Sequence, residues 1–292
     1  MKFPSPLLIL LAASTSAAVE CGNVDEALEY WRPIREQAED NALPADKLAI
    51  EFLPCLGSEN AELRDRIGYE LLTYWLRNDK LTDETRLSLA TSLQSNLASE
   101  DSLLRSFSAL VLAEVMRSDA NKPFLLEPTR GGLLQSAITA LTRESDYRGL
   151  EPDIGWVHPV AHLADLLWRF ALHPETNASQ AEQILFAVKA QVAPTSVSYA
   201  FNEGDRLARI VSTIIRRGLV PTESVALWIS AFGRPDSMPR WGEAFQSPEG
   251  MAALHNTKQF LRALSDQLAG DDIDESIRAP LDELVGGVTQ LI

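Results

Sequence analysis

The chain has 292 residues, 46% of them hydrophobic and 23% charged, and a formal net charge of −15. That length can bury a substantial core. An acidic surface repels phosphate backbones and anionic membranes, which excludes nucleic acid as an expected partner and leaves an unidentified protein or a small polar ligand.

Residues 1–18 (MKFPSPLLILLAASTSAA) read as an export signal: Lys2, an apolar run from Leu7 to Ala13, then small residues up to Ala18. The run is shorter than the ~20 residues of a membrane span, and no later segment is longer, so no span is expected in the mature chain. Lys2 is the only charged residue removed with this segment, so the mature charge is −16. Export, to a periplasm or outside the cell, places the two cysteines, Cys21 and Cys55, in an oxidising compartment. They flank two short helices, Asn23–Asp40 and Ala45–Pro54. In an antiparallel hairpin the start of the first helix lies beside the end of the second, so a Cys21–Cys55 disulfide is expected.

Helical periodicity then recurs over Ala61–Leu76, Asp83–Leu97, Ser102–Arg117 and Leu133–Arg143, the last preceded by two glycines. Further helices are expected from His158, over Ser179–Val192, Asp205–Arg217, Glu223–Phe232, Met251–Leu268 and Ile277–Ile292. Arg234–Pro248, with three prolines, reads as a loop. Strand alternation is nearly absent. Pairs of helices recurring every 35–45 residues or so suggest stacked antiparallel pairs, a HEAT- or armadillo-like solenoid or a compact helical array. With no long linker, residues 19–292 read as one all-α domain.

The chemistry concentrates between Asp146 and His173, DYRGLEPDIGWVHPVAHLADLLWRFALH. At 100° per residue, His158, His162, Asp165 and Arg169 fall at about 0°, 40°, −20° and 20° on a helix begun by Pro159. A solvated face normally uses Lys and Glu. Imidazoles one turn apart with a carboxylate on the next turn suggest a divalent metal site at His158, His162 and Asp165. The same three residues suit acid–base catalysis without metal. Arg148 and Arg169 could hold an anion, with Tyr147, Trp156 and Trp168 as walls. Glu151 and Asp153, and Glu203, Asp205 and Arg206 from the segment NEGDR, complete the candidate binding set. The bland alternative is structural: His158 caps the helix, His162 bonds a loop, Asp165 pairs with Arg148 or Arg169, and Asn202 caps the helix that follows it. Arg64, Asp65 and Arg66 read as a solvated face, and Arg105 and Asp119 as inter-helix salt-bridge formers.

Five segments carry a resemblance: LRDRIGYELLTYWL (63–76), RSFSALVLAEVMRSD (105–119), DYRGLEPDIGWVHPVAHLADLL (146–167), NEGDRLARIV (202–211) and NTKQFLRAL (256–264). The GWxHxxAHxxD core, Gly155 to Asp165, is the most specific. In these the chain resembles the bacterial family catalogued as domain of unknown function 2785. The resemblance implies an all-helical fold and brings no reaction with it. The export signal departs from a family that is mostly cytoplasmic, so the resemblance carries no compartment over to this chain. A binding module with a polar site around Arg148–Arg169 is therefore the leading expectation. A hydrolase-like enzyme using His158, His162 and Asp165 is the alternative.

Overall fold

A computed structural model describes residues 21–289, so the export signal expected at residues 1–18 lies outside the described residues. Twelve helices appear among these: α1 (Val24–Glu36), α2 (Ala45–Phe52), α3 (Glu70–Arg77), α4 (Asp83–Asn96), α5 (Ser102–Asn121), α6 (Glu127–Arg143), α7 (Pro159–Leu172), α8 (Ala178–Val192), α9 (Glu203–Arg216), α10 (Thr222–Ser230), α11 (Pro248–Gln267) and α12 (Glu275–Thr289). A π-helical stretch, Glu62–Tyr69, leads into α3. One small antiparallel hairpin, β1 (Leu150–Glu151) and β2 (Gly155–Trp156), pairs Leu150 with Trp156 and Glu151 with Gly155. Among the described residues no helix is long and apolar enough to cross a membrane.

The helices pair as the periodicity suggests. The odd-numbered helices α3, α5, α7, α9 and α11 pack side by side in one row, and α2, α4, α6 and α8 form a second row against it. Each pair buries an apolar stripe between the rows. On α7 the stripe is Val160, Leu163, Ala164, Leu167, Phe170 and Ala171, all of them buried. The buried side chains form one cluster, from Ala27 in α1 to Leu281 in α12. At the N-terminal end, the Cys21–Cys55 disulfide closes the first hairpin, with Cα atoms 5.1 Å apart.

The structure corrects several sequence expectations. Helix α6 starts at Glu127, before the two glycines, because Pro128 sits in its first turn, where no backbone donor is needed. The loop expected at 234–248 contains a 3-10 turn, Trp241–Gln246, held by Trp241 Nε1 donating to the carbonyl of Phe232 at 2.9 Å. His173 follows the last residue of α7. Its buried ring bonds Asp119 Oδ2 at 3.1 Å, while the same carboxylate accepts the N–H groups of Phe124 and Leu125. Arg105 does reach across helices, to Glu144 in bidentate fashion.

Candidate functional site

Arg64, expected on a solvated face, is 0% exposed. Its Nε donates to Asp65 and its Nη1 to the carbonyl of Ser58, while its Nη2 donates to the carbonyls of Ile154 and Trp156 at 2.9 and 3.0 Å. The guanidinium thus ties the hairpin to the turn before α3. Arg66 alone of the three stays exposed. The hairpin continues past its two bridges, with Val157 donating to Gly149 and His158 to Arg148 through their backbones. Phe201 lies where a Cβ at residue 149 would be, so only glycine admits it. These contacts fix the entry to α7.

His158 then adopts a left-handed conformation, φ 45° and ψ 48°, and makes no capping hydrogen bond. Asn202, at the start of α9, does the same at φ 66° and ψ 26°. Neither residue is the side-chain cap that the structural alternative called for. Non-glycine residues pay for this region in backbone strain, and such residues cluster at functional sites. The two strained positions lead into α7 and α9, which pack against each other. His158 Nε2 is buried 3.5 Å from Glu203 Oε1, with no closer partner, and the imidazole stacks on Trp156 at 5.2 Å. Phe201 meets both rings edge-on. Burial pushes the Glu203 carboxyl up, but the nearby His158 ring and the backbone N–H groups of Glu203 and Phe201 outweigh it and hold the carboxyl below its ordinary range. Trp156, 41% exposed, is the outer face of this cluster.

One turn along α7, His162 is buried against Phe107 and Ser106 of α5. The Ser106 hydroxyl donates to the carbonyl of Val157 at 2.6 Å and lies 2.8 Å from His162 Nδ1. A hydroxyl has one proton, so His162 must carry hydrogen on Nδ1 and donate it to Ser106. Burial is the largest effect on this imidazole. With the nearby charges of His158, Arg206 and Arg64, it lowers the pKa to about 3. His162 is therefore neutral at physiological pH.

Asp165 and Arg169 continue the same face, as the helical spacing requires, but the hydrogen bonds of Asp165 go to arginines of α9. Arg206 Nη1 reaches its Oδ2 at 2.5 Å and Arg209 Nη2 bonds its Oδ1. The expected ligand set of His158, His162 and Asp165 is thus not assembled. Among the described residues no group of three or more His, Cys, Asp or Glu side chains is placed to hold a metal ion. The physical reason is competition: two guanidinium groups from α9 satisfy the carboxylate. Arg169 lies 3.5 Å from Glu114, which Arg77 already engages in bidentate fashion at 2.6 and 2.7 Å. Arg169 and Arg209 both lie over the ring of Trp168, at 4.6 and 4.0 Å from its centre.

The remaining candidates scatter. Arg148 is paired with Asp146 and, with Tyr147, lines a separate polar groove of about 960 Å³ between α4 and α6. It shares no pocket with Arg169, and Asp165 pairs with neither Arg148 nor Arg169. Glu151 is half-buried and Asp153 exposed at the hairpin turn, where Asp153 also has positive φ. Asp205 is exposed, and its carbonyl accepts from Gln267. Sequence reasoning missed Ser106, Arg64, Glu114 and Arg209 as parts of this network. The one signal for them was their place within segments of family resemblance, since each reaches the motif from another helix.

The fold and site define an all-α stack of helix pairs with a buried imidazole cluster and an adjoining arginine cluster. The chain belongs to the family described as protein of unknown function (DUF2785), whose model matches residues 89–265. That match takes in the resembling segments at 105–119, 146–167, 202–211 and 256–264 and leaves 63–76 outside. No curated protein and no solved structure matches the chain.

Proposed function

We propose that this protein is an exported binding module whose working face is the polar surface of α7 and α9, from Trp156 to Arg209. Residues 19–292 act in this reading as one all-α unit. Helix pairs stacked in HEAT-like fashion offer such a module a long, rigid face. The export signal expected at 1–18 and the Cys21–Cys55 disulfide support an oxidising compartment.

The direction of the Ser106–His162 hydrogen bond carries the choice of binding over catalysis. A hydrolytic serine gives its proton to histidine; here the serine proton goes to Val157 and the histidine donates to serine. An imidazole with a pKa of about 3 is also far from the value at which general bases work near neutrality. Asp165 is occupied by two arginines and does not orient His162. What the face does present is exposed aromatic surface and guanidinium groups, the side chains that dominate recognition hot spots.

A panel of ester, phosphoester and peptide reporters tests the reading. No turnover above background is expected from purified protein. Turnover that disappears in a folded Asp165→Asn variant would instead establish the hydrolase-like alternative.

A further inference from the structure

We propose that Arg169 and Arg209, lying over Trp168, form a binding site for an oxyanion, a carboxylate or a phosphate group, with Arg77, Arg117 and Arg206 around it. This names the ligand class of the face described above and rests on that reading.

The charge balance is the first argument. Among the described residues, Arg77, Arg117, Arg169, Arg206 and Arg209 gather about two carboxylates, Glu114 and Asp165. The surplus is three positive charges on a chain whose net charge is −15. Each carboxylate is already engaged at close range, Glu114 by Arg77 and Asp165 by both Arg206 and Arg209. Arg169 adds only its 3.5 Å contact to Glu114, and Arg117 makes no hydrogen bond or ion pair among the described residues.

Unmet donors are the second argument. Arg209 Nε is buried and without a hydrogen-bond partner. A guanidinium has five N–H donors in a planar fork that suits two oxygens of one anion. Burying donors without partners costs free energy, and so does crowding like charges. Desolvation is the largest influence on Arg169 and Arg209, and it acts against their charged forms. An oxyanion resolves both penalties at once. The indole supplies the platform: Trp168 is fixed by its Nε1 donating to Thr213 at 3.0 Å, and it holds both guanidinium planes in place.

Melting temperature is measured against increasing sodium citrate and, separately, sodium phosphate, with ionic strength held constant by sodium chloride. The wild type is expected to show a saturable rise with one or both anions. The double variant Arg169→Ala/Arg209→Ala should stay folded, because Glu114 keeps Arg77 and Asp165 keeps Arg206. It should need at least about tenfold more anion for half-saturation, the loss expected when charge-assisted bonds go. Arg240→Ala, in the exposed loop before α11, should respond like wild type. A rise with citrate alone assigns a carboxylate, and one with phosphate alone a phosphate. No saturable rise in wild type, or an equal rise in the double variant, overturns the site. Neither of those results touches the turnover test, so this assignment and the binding reading fail separately.

Discussion

Ser106 and His162 join α5 to α7 through a hydrogen bond of 2.8 Å whose proton belongs to the imidazole. Because the serine hydroxyl is spent on Val157, the pair serves as a structural relay from helix to hairpin. Removing the relay should be costly. Ser106→Ala leaves the Nδ1–H of His162 and the carbonyl of Val157 without their partner inside the protein. A loss of roughly 2–4 kcal/mol is expected from two such orphaned groups. Urea denaturation measures it, and a change under about 0.5 kcal/mol, the size of an ordinary surface substitution, would contradict the relay.

His162 also sets a pH dependence. Its imidazole has a pKa of about 3 when folded against an ordinary value of 6.5, so the folded state resists protonation. The unfolded chain takes up the proton first. Stability from this group is therefore complete above pH 6.5 and declines as pH falls from there toward 3. Most carboxylates stay ionised in the upper part of that window. A melting temperature that falls between about pH 6.5 and 4.5 in wild type, and falls less in His162→Gln, is the expected outcome. Parallel curves for the two proteins would count against it.

Arg64 is expected to matter as a clamp. Arg64→Met removes a buried guanidinium and leaves Ser58, Ile154 and Trp156 carbonyls without their donor. Stability should fall by about 3–5 kcal/mol, the range for breaking a buried charged network. Arg64→Lys should not restore it, because a point ammonium cannot reproduce the fork. Hydrogen exchange should rise first in the backbone from Gly149 to His158; unchanged exchange there would reject the clamp.

Asn202 offers a test in the opposite direction. Its backbone is left-handed at φ 66° and its side chain caps nothing. Glycine occupies that region freely, so Asn202→Gly should be neutral or stabilising by up to about 1 kcal/mol. A loss greater than about 1 kcal/mol would mean that the Asn202 side chain has a structural role. Thermal denaturation decides between them.

The Cys21–Cys55 bridge spans 34 residues. Its replacement by serine at both positions should cost about 3–4 kcal/mol in the chain-entropy model. Thiol titration of denatured, unreduced protein should find no free thiols, and two would refute the bridge.

Much of this molecule was legible in the sequence because its elements answer to local rules. The stripe Val160–Ala171 and the line of His162, Asp165 and Arg169 follow from helical spacing alone, and both faces are where that spacing places them. The disulfide was legible too, since two cysteines at the ends of a helical hairpin have one short route to each other. Arg64 was misread for an equally local reason. Flanked by Asp65 and Arg66, it looks like a solvated triplet, and only the docking of a hairpin 90 residues away buries it.

By itself the sequence determined the all-helical class, the pairing of helices and the polar face of α7, all consequences of periodicity and chain connectivity. Only the tertiary structure decided what that face does with its charges. Side chains from α5 and α9 compete for the groups of α7, so Ser106 takes His162, and Arg206 and Arg209 take Asp165. Such contacts depend on the relative placement of helices distant in the chain, which no local pattern encodes. The row of presumed ligands became a relay, a strained helix entry and a cluster of arginines in excess.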